Sequence, residues 1–172
     1  MNRALIVTFY LLGVLAPAQT ATPNNPKHQF VEVKLKDKEL LKMATGKEMS
    51  LPQLRVYDKQ GQLVGDFNDG FDDATFKDDF DKLLQSAKPI TGKAGLTSEL
   101  DIIVNLKNKA LKNLPPADFT IVEYWADWCK PCHQQLELLH QALKAHETVA
   151  INILHVQADP TKLPGMKVVH QK

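Results

Sequence analysis

Cysteine is scarce in this chain. Two occur among 172 residues, Cys129 and Cys132, three positions apart. An exported protein using cysteine for stability would space the partners to close a longer loop, because the entropic gain grows with loop length. A bridge across two residues constrains the unfolded chain very little, so this pair points to reactivity. Net charge is nearly absent too, at +1. That lacks the basic bias of a nucleic-acid binder, and no nucleic-acid partner is expected. Lysines alternate with acids, as in Lys34-Leu35-Lys36-Asp37-Lys38-Glu39, which reads as solvated surface. The N-terminal apolar run, Ala4 to Leu15, is about a dozen residues long, short of the roughly 20 that a membrane span needs. No low-complexity tract interrupts the sequence.

That run reads instead as a secretory signal over residues 1–18. Arg3 supplies the positive start, and Ala16-Pro17-Ala18 offers the small-x-small site a signal peptidase cuts. No cysteine follows to carry a lipid anchor. The expectation is a periplasmic or secreted chain beginning at Gln19 or at Thr22, with no stable membrane insertion after cleavage. Residues 19–27, with Pro23, Asn24, Asn25 and Pro26, read as a flexible terminus. The remainder suits one domain, or two very small ones.

Around the cysteines the pattern is strand, turn, helix. Phe119 to Trp125 is β-branched and aromatic, the composition of a buried strand. After Cys129-Lys130-Pro131-Cys132 comes Gln134 to His146, with Leu136, Leu139 and Leu143 at helical steps. Cys129 therefore falls at a helix N-terminus, where unpaired amide N–H groups and the helix dipole stabilise a thiolate. Pro131 is tolerated in a first turn, where its missing N–H has no partner to lose. Cys129 is expected to attack a substrate disulfide, and the more buried Cys132 to resolve the mixed disulfide. Glu123, six residues earlier on the strand and of the same facing parity as Trp125, is the candidate acceptor for the Cys132 proton.

Tyr124-Trp125-Ala126-Asp127-Trp128-Cys129-Lys130-Pro131-Cys132 closely resembles the active-site signature of thioredoxins. Both tryptophans, the alanine and the proline are in place; Lys130 departs from the glycine most common there. Glu123 falls where thioredoxins keep a buried aspartate and protein disulfide isomerases a glutamate. The resemblance implies a dithiol oxidoreductase on an α/β, thioredoxin-like mixed sheet flanked by helices. It also implies that Trp125 and Trp128 pack around the site, and no cofactor is expected.

The rest of such a fold lies in an unexpected place. After the strand read over Val149 to Val156, too little chain remains for a further helix, a hairpin and a closing helix. Upstream, Val31 to Leu35 reads as a strand and Glu39 to Ala44 as a short helix ended by Gly46. Leu54-Arg55-Val56-Tyr57 and Gln62 to Phe67 flank a turn, Asp58-Lys59-Gln60-Gly61. Asp72 to Gln85 then places Phe76, Phe80, Leu83 and Leu84 at helical spacing. This resembles the back half of a thioredoxin, with Gly70 before its last helix. Leu51-Pro52 then matches the family's cis-proline loop, which binds substrate backbone by strand addition; Pro164 is the rival.

Two architectures fit. In one, residues 28–88 supply the back half, 89–97 a linker and 98–172 the front half of a single circularly permuted domain, with a helix over Ser98 to Lys112. In the other, residues 28–88 form a separate unit beside a truncated thioredoxin domain. The first is preferred, because a truncated sheet exposes an edge and buries little apolar surface. Phe30 to Leu35 and Val149 to Val156 both resemble the family's central strand, so one sits elsewhere, or the halves belong to a swapped dimer.

The function expected is thiol–disulfide exchange with protein thiols or disulfides, served by a membrane redox partner. Pro131 leans toward reductase, while Lys130 favours the thiolate and raises the potential modestly. Two other classes compete. Cys129, Cys132 and His133 offer soft ligands for Cu(I), although His133 reads as a surface residue, no fourth ligand suits zinc, and no metal is assigned. His28, His140, His146, His155 and His170 show no ligand spacing. A non-catalytic binding module has no need of either cysteine.

Overall fold

The computed structural model describes residues 27–45, 51–67, 74–111 and 113–163. The expected signal, most of the terminus after it, Gly46, Gly70, and Pro164 with the residues that follow it lie outside that set. Six strands form one mixed sheet: β1 (His28–Leu35), β2 (Gln53–Asp58), β3 (Leu63–Phe67), β4 (Ile103–Asn105), β5 (Phe119–Trp125) and β6 (Ile151–Gln157). Their spatial order is β3-β2-β5-β6-β1-β4. The three middle strands β5, β6 and β1 run parallel. The flanking β2, β3 and β4 are antiparallel to their neighbours.

Composition explains the centre. β5 and β6 are nearly continuous runs of Ile, Val, Leu and aromatic residues, suited to burial on both faces, and nearly every residue in them is buried. Among the described residues four helices cover the sheet: α1 (Asp37–Ala44), α2 (Phe76–Ser86), α3 (Leu96–Leu100) and α4 (Lys130–Lys144). On one face Phe76 and Phe80 of α2 and Leu139, Ala142 and Leu143 of α4 pack on Leu54, Val56, Ile121, Ile151 and Ile153. On the other, Leu40 of α1 with Leu96 and Leu100 of α3 packs on Val33, Leu35, Tyr57, Tyr124 and Val156. Among the described residues no helix is long and apolar enough to cross a membrane.

Upstream and downstream segments interleave. The hairpin β2–β3 turns at Gly61, whose φ of +75° suits glycine. It pairs through β2 with β5, Leu54 opposite Glu123, while β1 pairs with β6, Val31 opposite Leu154. A separate unit over 28–88 is therefore not what the chain builds. Of the two strands that resembled a central one, β6 lies beside β5 and β1 lies on its outer side. Residues 87–95 are pinned to the hairpin, Ile90 N–H donating to Leu63 O and Leu96 N–H to Gly61 O, both at 2.8 Å.

The helix expected over Ser98 to Lys112 does not form. Only α3 is helical, and β4 follows it on the sheet edge. Ile102-Ile103-Val104 is a β-branched run that loses side-chain freedom in a helix and pairs well on an open edge. Asn105 then closes a turn, its Oδ1 accepting from the N–H groups of Lys107 and Lys109 at 2.9 Å, with Asn108 at φ 59°. The expected stripe on α4 also changes. Gln135, not Leu136, joins Cys132, Leu139, Ala142 and Leu143 on the buried face.

Candidate functional site

β5 ends at Trp125 and delivers Ala126 to Cys129 to the head of α4. Cys129 is the N-cap, and its Sγ accepts a hydrogen bond from the Cys132 N–H at 3.2 Å. The two cysteines are joined as a disulfide with their Cα atoms 5.3 Å apart. Pro131 sits in the first turn, where it displaces no hydrogen bond, and Lys130 is exposed beside it. The sequence expects Cys132 to be clearly the more buried of the pair. In the disulfide form Cys129 is nearly as buried as Cys132, 3% against 1% exposed, because Ala126, Leu51 and Trp125 pack around both.

Leu51 comes from the other half of the chain. The Leu51–Pro52 peptide is cis, and β2 starts at the next residue with Gln53 opposite Tyr124. This register carries Leu51-Pro52 past the end of β5 and lays Leu51 on the dithiol. Trp128 is 58% exposed on the far side. Its indole N–H donates to Oδ1 of the buried Asp159 at 3.1 Å, and the same oxygen accepts from Thr161 N–H. Asp159 opens a short 3-10 turn, Pro160–Lys162. Lys162 pairs with Asp127 at 2.6 Å, and that hydrogen bond raises the lysine's affinity for its proton. The turn after β6 thus braces the loop that presents Cys129.

Glu123 faces the α4 side of the sheet, sharing parity with Ile121 of that core. It is wholly buried. Its Oε2 is hydrogen-bonded to Nδ1 of His155, its partner in the β5–β6 register, and its Oε1 has no partner among the described residues. His155 lies flat against Trp125, ring centroids 4.6 Å apart and planes 13° apart. Trp125 thereby touches both the dithiol cluster and the Glu123–His155 pair. Gln135, one turn beyond Cys132, is buried, and among the described residues neither of its side-chain polar atoms is paired. His133 stays exposed, its Nε2 3.2 Å from the Asp127 carbonyl oxygen. Among the described residues no three His, Cys, Asp or Glu side chains gather as metal ligands.

Another buried acid occupies the opposite face. Glu99 of α3 is 5% exposed and accepts from Arg55, from Tyr57 Oη at 2.8 Å and from Tyr124 Oη. Burial, and then the nearby Glu99 charge, push both tyrosines far above their ordinary value. Burial by itself would lower the Arg55 pKa, but Glu99 outweighs it and the net shift is upward. Asp66 stands 3.8 Å from Arg55 Nε, and Arg55, Tyr57, Asp66 and Glu99 line a recess of about 190 Å³.

Glu99, Gln135, His155 and Asp159 were missed in the sequence. His155 left one trace: it is a titratable residue inside the apolar run Ile151 to Val156, where burial demands a partner. Comparison with protein-family models, with curated proteins and with solved structures finds no match to this chain.

Proposed function

We propose that this protein is a thioredoxin-like thiol–disulfide oxidoreductase, acting outside the cytosol on protein thiols or disulfides and working as a reductase more than as an oxidase. The observation that carries the reading is the Cys129–Cys132 pair capping α4, with the Cys132 N–H aimed at the Cys129 sulfur. A donor so placed, with the helix dipole behind it, stabilises a thiolate at Cys129 and hence a reactive dithiol. Leu51, at a cis Leu51–Pro52 peptide, packed on the dithiol cluster, and a hairpin from the upstream half paired to β5, support a thioredoxin-like fold in permuted order.

The chemistry proceeds in two exchanges. The Cys129 thiolate attacks one sulfur of a substrate disulfide, forming a mixed disulfide and expelling the first substrate thiolate. Cys132 gives up its proton, with Glu123 as the acceptor on that side of the sheet, and its thiolate attacks Cys129 Sγ. The internal disulfide forms, the second substrate thiolate leaves, and both leaving thiolates take protons from solvent. Two electrons pass from the dithiol to the substrate. An external reductant, which we assign to a membrane redox partner, must then return them.

Equilibrating the purified protein with thiol–disulfide buffers, with Trp125 and Trp128 as fluorescence reporters, tests this. A two-electron couple near the roughly −270 mV of thioredoxin supports a reductase, and one near about −120 mV makes the protein a disulfide donor. Absence of any titratable couple would sink the proposal.

A further inference from the structure

Glu123 has a difficulty as a proton acceptor: it is wholly buried, so a proton that reaches it has no direct way to water. Its one hydrogen-bond partner among the described residues is His155. The parallel register continues the line. Glu123 on β5, His155 on β6 and Glu32 on β1 are consecutive lateral neighbours. Adjacent strands lie about 4.8 Å apart, and side chains in register share a face. Exposure rises along this row, from none at Glu123 to 8% at His155 to an open surface at Glu32.

We propose that His155 is the proton exit of the dithiol site, passing to solvent on the Glu32 side the proton that Glu123 takes from Cys132. Imidazole suits this place because it accepts at one nitrogen and releases from the other. Nδ1 is held on Glu123, and stacking on Trp125 fixes the ring plane. No further hydrogen bond to His155 is seen among the described residues, which leaves Nε2 for water. The titratable groups around it are Glu123 on β5, Glu32 on β1 and, across Trp125 on α4, His133, whose ring lies 6.1 Å from that indole, and Cys132 in the dithiol form. His155 acts through Glu123 and so is a positioning residue of the relay.

The inference rests on the oxidoreductase reading, and one experiment separates the two. Single-turnover oxidation of the reduced protein by a protein disulfide is followed by tryptophan fluorescence from pH 5.5 to 8.5, in weak buffer and with added imidazole. H155Q is expected to slow the resolving step about tenfold or more in weak buffer, to recover as imidazole rises, and to keep the wild-type reduction potential. A rate equal to wild type in weak buffer, or a slow rate that imidazole does not restore, overturns the relay. Should H155Q fail to fold, the wild type decides: a rate flat with imidazole concentration supports an internal exit, and one that climbs with it overturns the proposal. If the wild type itself shows no dithiol turnover, the reading beneath has failed instead.

Discussion

Two acids are buried on opposite faces of one sheet, and they are treated differently. Glu99 is surrounded by three donors, Arg55, Tyr57 and Tyr124, which join α3 to β2 and β5. Among the described residues Glu123 has a single partner and one carboxyl oxygen with none. A buried polar group costs free energy unless it is fully paired, and a satisfied network rigidifies what it joins. Glu99 meets that condition and reads as a structural tie. A half-satisfied buried acid suits the proton-transfer role proposed for Glu123, since a carboxyl saturated with donors has no site left to take a proton. Removing each acid should therefore damage a different property.

The largest break in this contrast comes from the dithiol side. Cys132→Ser should abolish turnover while leaving a mixed disulfide trapped on Cys129, because the first exchange needs only Cys129. Mass spectrometry after mixing with a protein disulfide reads the adduct, and continued turnover by the variant would contradict the assigned roles. Thermal stability of the reduced protein should barely move, since the Glu99 network is untouched.

Glu99→Ala should do the reverse. It leaves two buried tyrosine hydroxyls without their acceptor and leaves Arg55 with only Gln53 and Asp66; breaking a buried ion pair from one side costs about 3–5 kcal/mol. That is a large share of the roughly 5–15 kcal/mol of a typical domain, so denaturant midpoints should fall sharply. The reduction potential of the folded fraction should stay where it was. A stable variant with altered redox behaviour would erase the distinction between the two acids.

Glu123→Gln keeps the shape and removes the proposed proton acceptor. The resolving step should slow by roughly a hundredfold near neutral pH, the lower range for a positioned acid–base group, with far less change in denaturant midpoint than Glu99→Ala. Unchanged resolution rates across pH would remove Glu123 from the mechanism.

What the sequence discloses divides along the same line. β5, α4 and the dithiol are legible because strand composition, helical spacing and CxxC are local signals. The β2–β3 hairpin shows through its turn residues. Gln53 opposite Tyr124, which brings Leu51 to the cysteines, is a pairing between distant segments, reachable only through resemblance. Glu99 finds Tyr124 and Tyr57 from 25 and 42 positions away, and α3 itself was submerged in a longer expected helix that Ile102 to Val104 cut short. His155 could not be joined to Glu123 until β6 was known to lie parallel to β5 in register. Polar residues are the least legible because their burial depends on partners that no local period encodes.

The smallest effect sharpens the Glu99 side. Tyr57→Phe deletes one of three donors and should cost about 1 kcal/mol at neutral pH, the net worth of an ordinary hydrogen bond. Its pH dependence carries more information. Burial and Glu99 raise the tyrosine's folded pKa above its unfolded value, which lies near 10. The stabilisation tied to the protonated hydroxyl is then complete below about pH 10, and it fades as the unfolded chain ionises above that. Tyr124 behaves in the same way. Wild-type stability should therefore fall as pH rises past 10, and Tyr57→Phe should fall less steeply, so the gap between the two narrows in alkali. Denaturant midpoints at pH 7, 9, 10 and 11 would show it. Parallel curves would mean that Tyr57 ionises alike folded and unfolded, and that Glu99 is less tightly enclosed than its three donors imply.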